Sequence, residues 1–243
     1  MRNDTFDTLL LIARPGAGKS EIIDYLKKCN IAERIKRFHI GEFKEIDDFP
    51  ILWRWFEEDT ILSEMGYPHL HTDEDGYFIG DHLWGLLIEL INLEYKKRLR
   101  DKPQYLEKYS TIVEFSRGTE HGGYRNAFPL LCSELLANMA ILYVRVSWDE
   151  SLRKNRERFN PGRPDSILEH GLPDTKLEKL YQHTDWEEIS SKDPEFLSIN
   201  GRMIPYVVFE NEDDVTTARG NALGERLEDE INKLWLLYQS SRS

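Results

Sequence analysis

Apolar residues first gather in "TLLLIA", residues 8 to 13, a short run closed by Pro15 and Gly16. A run of that length between breakers predicts a buried strand. Ile22, Ile23, Leu26 and Cys29 then recur at helical spacing, so a helix is expected over 19 to 29. "RIKRFHI" (34 to 40) alternates and predicts a second strand. Residues 49 to 66 carry a helical pattern that begins beside Pro50 and stops at Gly66. "HLHTDEDGYFI" (69 to 79) reads as a solvated hairpin turning at Asp75-Gly76. Residues 80 to 100 form a long helix whose basic end, "KKRLR", suits the negative pole of a helix dipole. Strands are further expected at 109 to 118, at 139 to 151 where the strand leads into a helix, and at 204 to 211. A helix is expected at 127 to 138, and the last helix, 222 to 238, carries Leu223, Leu227, Ile231 and Leu234 on one face.

Strands alternating with helices define an α/β fold with a mostly parallel sheet. No repeat, low-complexity tract or linker interrupts the chain. Residues 1–243 therefore read as a single domain with two insertions, about 41–108 and about 150–196.

Composition narrows the class. Hydrophobic residues make up 40% and charged residues 31%, an ordinary globular balance in a chain long enough to bury a core. No apolar run approaches the roughly 20 residues that span a bilayer. The first apolar run leads into a Gly-rich loop, unlike a signal peptide with its small-residue cleavage site. Cys29 and Cys132 lack metal-site spacing and fit buried thiols in a reducing, cytoplasmic setting. A net charge of -12 argues against nucleic acid as a partner. Oligomeric state is left open.

The chemistry starts at "ARPGAGKS", residues 13 to 20. Ala13, Gly18, Lys19 and Ser20 fit the phosphate-loop pattern, placed between a predicted strand and a predicted helix. Glycines let several backbone N–H groups converge on one phosphate, and the helix N-terminus adds a positive pole. The expected nucleotide contacts are Ala13, Arg14, Pro15, Gly16, Ala17, Gly18, Lys19, Ser20 and Glu21. Lys19 would reach the β- and γ-phosphates, and the Ser20 hydroxyl would bind Mg²⁺. Glu114, at the end of a strand, is the expected second acid, holding Mg²⁺ or accepting a proton. Arg117 would face the same cleft and clamp an anionic group. "SLRKNRERFNPGR" (151 to 163) sets Arg153, Lys154, Arg156, Arg158 and Arg163 against one acid. It reads as a solvated face or as a flap that closes over transferring phosphates. Of Glu42, Asp47 and Asp48, just after the second predicted strand, Glu42 is the candidate general base, and Asp47 or Asp48 suits the cap of the next helix. Trp53 and Trp55 suit core or interface better than base stacking. Asn211 could contact a bound base or simply shape a turn.

These segments together resemble the P-loop kinases of nucleosides, nucleotides and other small molecules. "ARPGAGKS" is similar to the Pro-containing loop of adenylate-kinase-like proteins. "VEFSRG" looks like their strand-end acid and acceptor-binding Arg, "VRVSWDESLRKNRER" like the strand entering their Arg-bearing lid, and "IPYVVFENEDD" like their last strand. By motif order the resemblance covers nearly the whole chain, although only the loop is highly specific. It departs where Ser20-Glu21 follows Lys19 in place of Gly-Thr, and where Glu114-Phe115-Ser116-Arg117 replaces Asp-Gly-x-Pro-Arg. The resemblance implies a three-layer fold around a five-stranded parallel sheet of order 2-3-1-4-5, with helices on both faces. It implies ATP and Mg²⁺ as donor, a small-molecule acceptor, and Lys19, Glu114, Arg117, Arg153, Arg156 and Arg158 as catalytic residues. The alternative is a regulatory ATPase or switch whose 41–108 insertion binds a protein.

Overall fold

The computed structural model describes residues 4–158, 162 and 172–242. The first half runs β1 (Thr8–Ala13), α1 (Lys19–Lys28), α2 (Ile31–Phe38), β2 (Glu42–Asp47), α3 (Phe49–Glu64), α4 (His82–Asp101), α5 (Tyr105–Lys108) and β3 (Tyr109–Phe115). The second half runs α6 (Gly123–Ala127), α7 (Ser133–Leu136), β4 (Met139–Arg145), α8 (Trp148–Arg158), α9 (Asp174–Tyr181), α10 (Trp186–Ser190), β5 (Phe196–Ile199), β6 (Arg202–Glu210), α11 (Val215–Ala218) and α12 (Asn221–Ser240).

The sheet has six strands in the order β2-β3-β1-β4-β6-β5. The five strands from β2 to β6 run parallel, and β5 turns back antiparallel on β6. The expected five-strand order therefore gains a sixth, antiparallel edge strand that the sequence reading did not include. β1 lies in the middle and is buried along its whole length. Alternation along it sends Leu9, Leu11 and Ala13 to one face, where α1 and α12 bring Ile22, Leu26, Leu227 and Ile231. Leu10 and Ile12 go to the other, where α4 brings Ile88, Ile91 and Tyr95. The result is three layers, helix on sheet on helix.

Residues 34 to 40 are not a strand. They lie mostly in α2, whose N-cap Asn30 accepts from the Glu33 N–H at 2.9 Å. Arg34 is buried and donates to the carbonyl oxygens of Leu26, Ile40 and Gly41. The strand follows at 42 to 47. It is an edge strand with alternating exposed positions, which explains its weak apolar signal. The expected helix at 127 to 138 is broken near Pro129 into α6, a 3-10 turn and α7. The 69 to 79 hairpin closes through one bridge, Thr72 to Phe78. It is not a free loop: buried Asp59 accepts from the N–H groups of Leu70, His71 and Thr72, and His71 stacks on Trp55.

Candidate functional site

β1 delivers the chain to the centre of the sheet's C-terminal edge, and the loop 14–18 turns there into α1. Gly16 and Gly18 have φ of 74° and 108°, a region that L side chains rarely adopt. A Cβ on Gly18 would stand 2.5 Å from Thr216 Oγ1 and 2.9 Å from Asn211 Nδ2. Space and dihedral angle thus both require glycine at this position. No side chain caps the N-terminus of α1, which leaves its first N–H groups free for an anion.

The loop is held from behind. Asn211 Nδ2 donates to the Ala17 carbonyl at 2.9 Å and to Thr216 Oγ1 at 2.8 Å. Lys154 Nζ donates to Asp214 at 2.5 Å and to Thr216 Oγ1 at 2.9 Å. Burial would raise the Asp214 carboxyl, but the bonds from Lys154 and Thr217 outweigh it and lower it to about 2. Ser151 Oγ donates to the Pro15 carbonyl at 2.8 Å. α8 and the segment after β6 therefore brace the 14–18 turn.

The partner carboxylates come from neighbouring strands. Asp47 and Glu114 are register partners at the ends of β2 and β3, and Leu11 of β1 continues the same row. Their side chains share a sheet face. Burial first, and then the Glu114 and Asp48 charges, push the Asp47 carboxyl up to about 8. Glu114 is also raised, chiefly by burial, with the Lys19 charge opposing. Lys19 Nζ itself donates to Ser116 Oγ at 2.8 Å. The site thus brings the Lys19 ammonium and a pair of buried carboxyls to the mouth of the turn.

A raised carboxyl binds its proton more tightly folded than unfolded, where its value is about 3.9. Its stabilising contribution is therefore present at low pH and is lost as pH rises from about 4 through about 8. For metal- and nucleotide-free protein, Tm is expected to fall between about pH 5 and about pH 9, and Asp47→Asn is expected to flatten that fall. Thermal unfolding in a chelator checks this, and parallel profiles would refute it.

Arg117 is buried. Its guanidinium donates to Asp48 at 2.7 Å and to the carbonyl oxygens of Ser116 and Trp84. Removing one partner from such a buried pair leaves an uncompensated charge. Asp48→Ala is accordingly expected to lower unfolding stability by about 3 to 5 kcal/mol, read from denaturant melts. A loss under about 1 kcal/mol would show that the pair is solvated instead.

These groups line a cavity of about 580 Å³. Of the expected contacts, Pro15 to Glu21, Glu114, Arg117 and Arg158 line it. Ala13 and Arg14 do not. The Ala13 carbonyl accepts from Tyr124 Oη, and the Arg14 guanidinium donates to the carbonyl oxygens of Val146, Tyr181 and Gln182. Asn211 is fully buried beneath the loop and outside the cavity lining. Arg153 is held by Glu150, Glu157 and Asp214, and Arg156 by Asp174, both outside the cavity lining. Arg163 lies outside the described residues. Glu42 sits at the start of β2, opposite Tyr109, five residues and roughly 16 Å from the carboxylate pair. Sequence reasoning left Asp47 among several acids, gave Lys154 no role of its own, and passed over Ser116.

Among the described residues no group of three His, Cys, Asp or Glu side chains is arranged to hold a metal ion. None of their helices is long and apolar enough to cross a membrane. No family model matches the chain, and no curated protein matches it in sequence. Among solved structures, the chain is similar to an unliganded sugar kinase from Janibacter sp. HTCC2649, at 14% identity and a TM-score of 0.42, over 98% of this chain and 99% of that one.

Proposed function

We propose that the protein is a P-loop kinase that binds MgATP and transfers its γ-phosphate to a hydroxyl of a small molecule. One observation carries the reading: a Gly-permissive turn leads into an uncapped helix N-terminus, with Lys19 and two strand-end carboxyls at its mouth. The residues fit the group. The turn and the first N–H groups of α1 would hold the phosphates, Lys19 would neutralise them, and exposed Ser20 with Glu114 would hold Mg²⁺. As donor, ATP supplies the phosphoryl group: the acceptor oxygen bonds to the γ-phosphorus as the bond to the β–γ bridging oxygen breaks. Asp47 takes the hydroxyl proton. Arg158, lining the cavity at the end of α8, lies on the side expected to close. Arg117 orders Asp48 and the acceptor floor. Positioning and electrostatics supply the rate.

ADP formation from MgATP against a panel of nucleosides, nucleotides, sugars and small acids tests this. ADP that appears only with an acceptor supports the kinase. Slow release indifferent to every acceptor favours the switch reading. That reading has one observation of its own: Ile61, Met65, Tyr67, Leu70 and Ile79 are exposed within the 41–108 insertion, where a protein partner could cover them.

A further inference from the structure

The cavity has two unlike walls. Its cations come from the loop, the end of β3 and the segment from α8 to α9. Those from the last segment are Lys154, Arg158, Lys176 and Lys179. Lys154 is paired with Asp214 and Arg117 with Asp48, whereas Lys176 and Lys179 stand over the Tyr77 ring, a contact that leaves their charge in place. The facing wall, residues 47 to 84, contributes no Lys, Arg or His to the lining. Its charged members are Asp47, Asp48, Asp73 and Asp81.

The same wall is aromatic in an unusual place. Phe49, Leu52, Trp53 and Phe56 recur at helical spacing along α3, a stripe that ordinarily buries itself in a core. Here the stripe is half-buried and lines the cavity, while Trp55 and Asp59 point to the hairpin. Tyr77, Phe78 and Trp84 extend it. A phosphate or carboxylate beside Asp47 and Asp48 would meet carboxylates and ring faces, while the bases that touch this wall, Lys176 and Lys179, stand at its Tyr77 end. A flat ring would gain area burial and stacking.

We propose, resting on the kinase reading, that the acceptor is an uncharged, hydroxylated molecule with a flat ring, and that phosphate- and carboxylate-bearing compounds are excluded. The ring lies against the α3 stripe and presents its hydroxyl to Asp47 and the loop.

Calorimetric titration of the full chain tests this with matched pairs: purine and pyrimidine nucleosides and hydroxymethylpyridines, each beside its phosphate monoester. Each pair is run with and without MgADP. At least one ring alcohol is expected to bind about tenfold tighter than its monoester or better. Trp53→Ala is expected to weaken that alcohol about tenfold and to leave MgADP affinity in place. Asp81→Lys adds a base to the wall at an exposed position and is expected to narrow the alcohol–ester gap at least about threefold. Tighter binding of the ester in every pair overturns the inference. So does failure of every ring alcohol to bind, or indifference of the alcohol to Trp53→Ala. Absence of MgADP binding overturns the kinase reading instead, and the nucleotide-free titrations still compare alcohol with ester.

Discussion

Lys19→Ala is expected to lower acceptor-dependent ADP formation about 10²- to 10³-fold, the cost of removing one preorganised donor from a site where charge develops. Lys19 stands at the first position of α1, at the mouth of the turn, with its ammonium bonded to the Ser116 hydroxyl. Its neighbours are the carboxyls of Asp47 and Glu114, both pushed up by burial and both stabilised as anions by the Lys19 charge. Removing the ammonium takes away a positive charge that offsets those two acids where the phosphates would bind. MgATP affinity should therefore fall along with turnover. The fold should persist, because Lys19 joins no hydrophobic cluster. Steady-state kinetics and calorimetry check both parts. Unchanged affinity and rate would mean that the turn holds no phosphate.

Asp47→Asn is expected to reduce kcat about 10²- to 10⁴-fold with little change in the KM for ATP, the range for loss of a positioned general base. The substitution keeps size and the acceptor oxygen for the Phe49 N–H, so the start of α3 survives. It removes the negative charge and the ability to take a proton. Glu114→Gln should instead raise the Mg²⁺ concentration needed for half-maximal rate. A kcat unaffected by Asp47→Asn would move the base role to Glu114.

The contrast between these two acids shows what the sequence could carry. "TLLLIA" and "ARPGAGKS" are local patterns: strand burial and the turn's need for glycine act within a dozen residues, so both were legible. Asp47 was not, because its closeness to Glu114 is made by strand register. β2, "EFKEID", is an edge strand with little apolar pattern, and placing the strand at 34 to 40 brought Glu42 toward the site in its stead. Asn30 as N-cap, with Ile31, Ile35 and Phe38 at helical spacing, was the available signal for α2. The Arg-rich segment failed for a related reason. Composition marks a basic helix but not its rotation, and α8 turns Lys154 toward the loop while Arg153 and Arg156 pair with acids outside the cavity lining. Arg14 and Asn211 were expected as nucleotide contacts, but the Arg14 guanidinium is committed to backbone carbonyls, and Asn211 Nδ2 to the Ala17 carbonyl and the Thr216 hydroxyl.

Transfer, as opposed to hydrolysis, is the central claim. The most direct measurement follows ATP labelled on its γ-phosphate, mixed with the protein, Mg²⁺ and the acceptor panel, with the products separated by charge. The expected result is label in a phosphorylated ring alcohol, lost in Lys19→Ala. Label found only in inorganic phosphate, at a rate no acceptor changes, would contradict it.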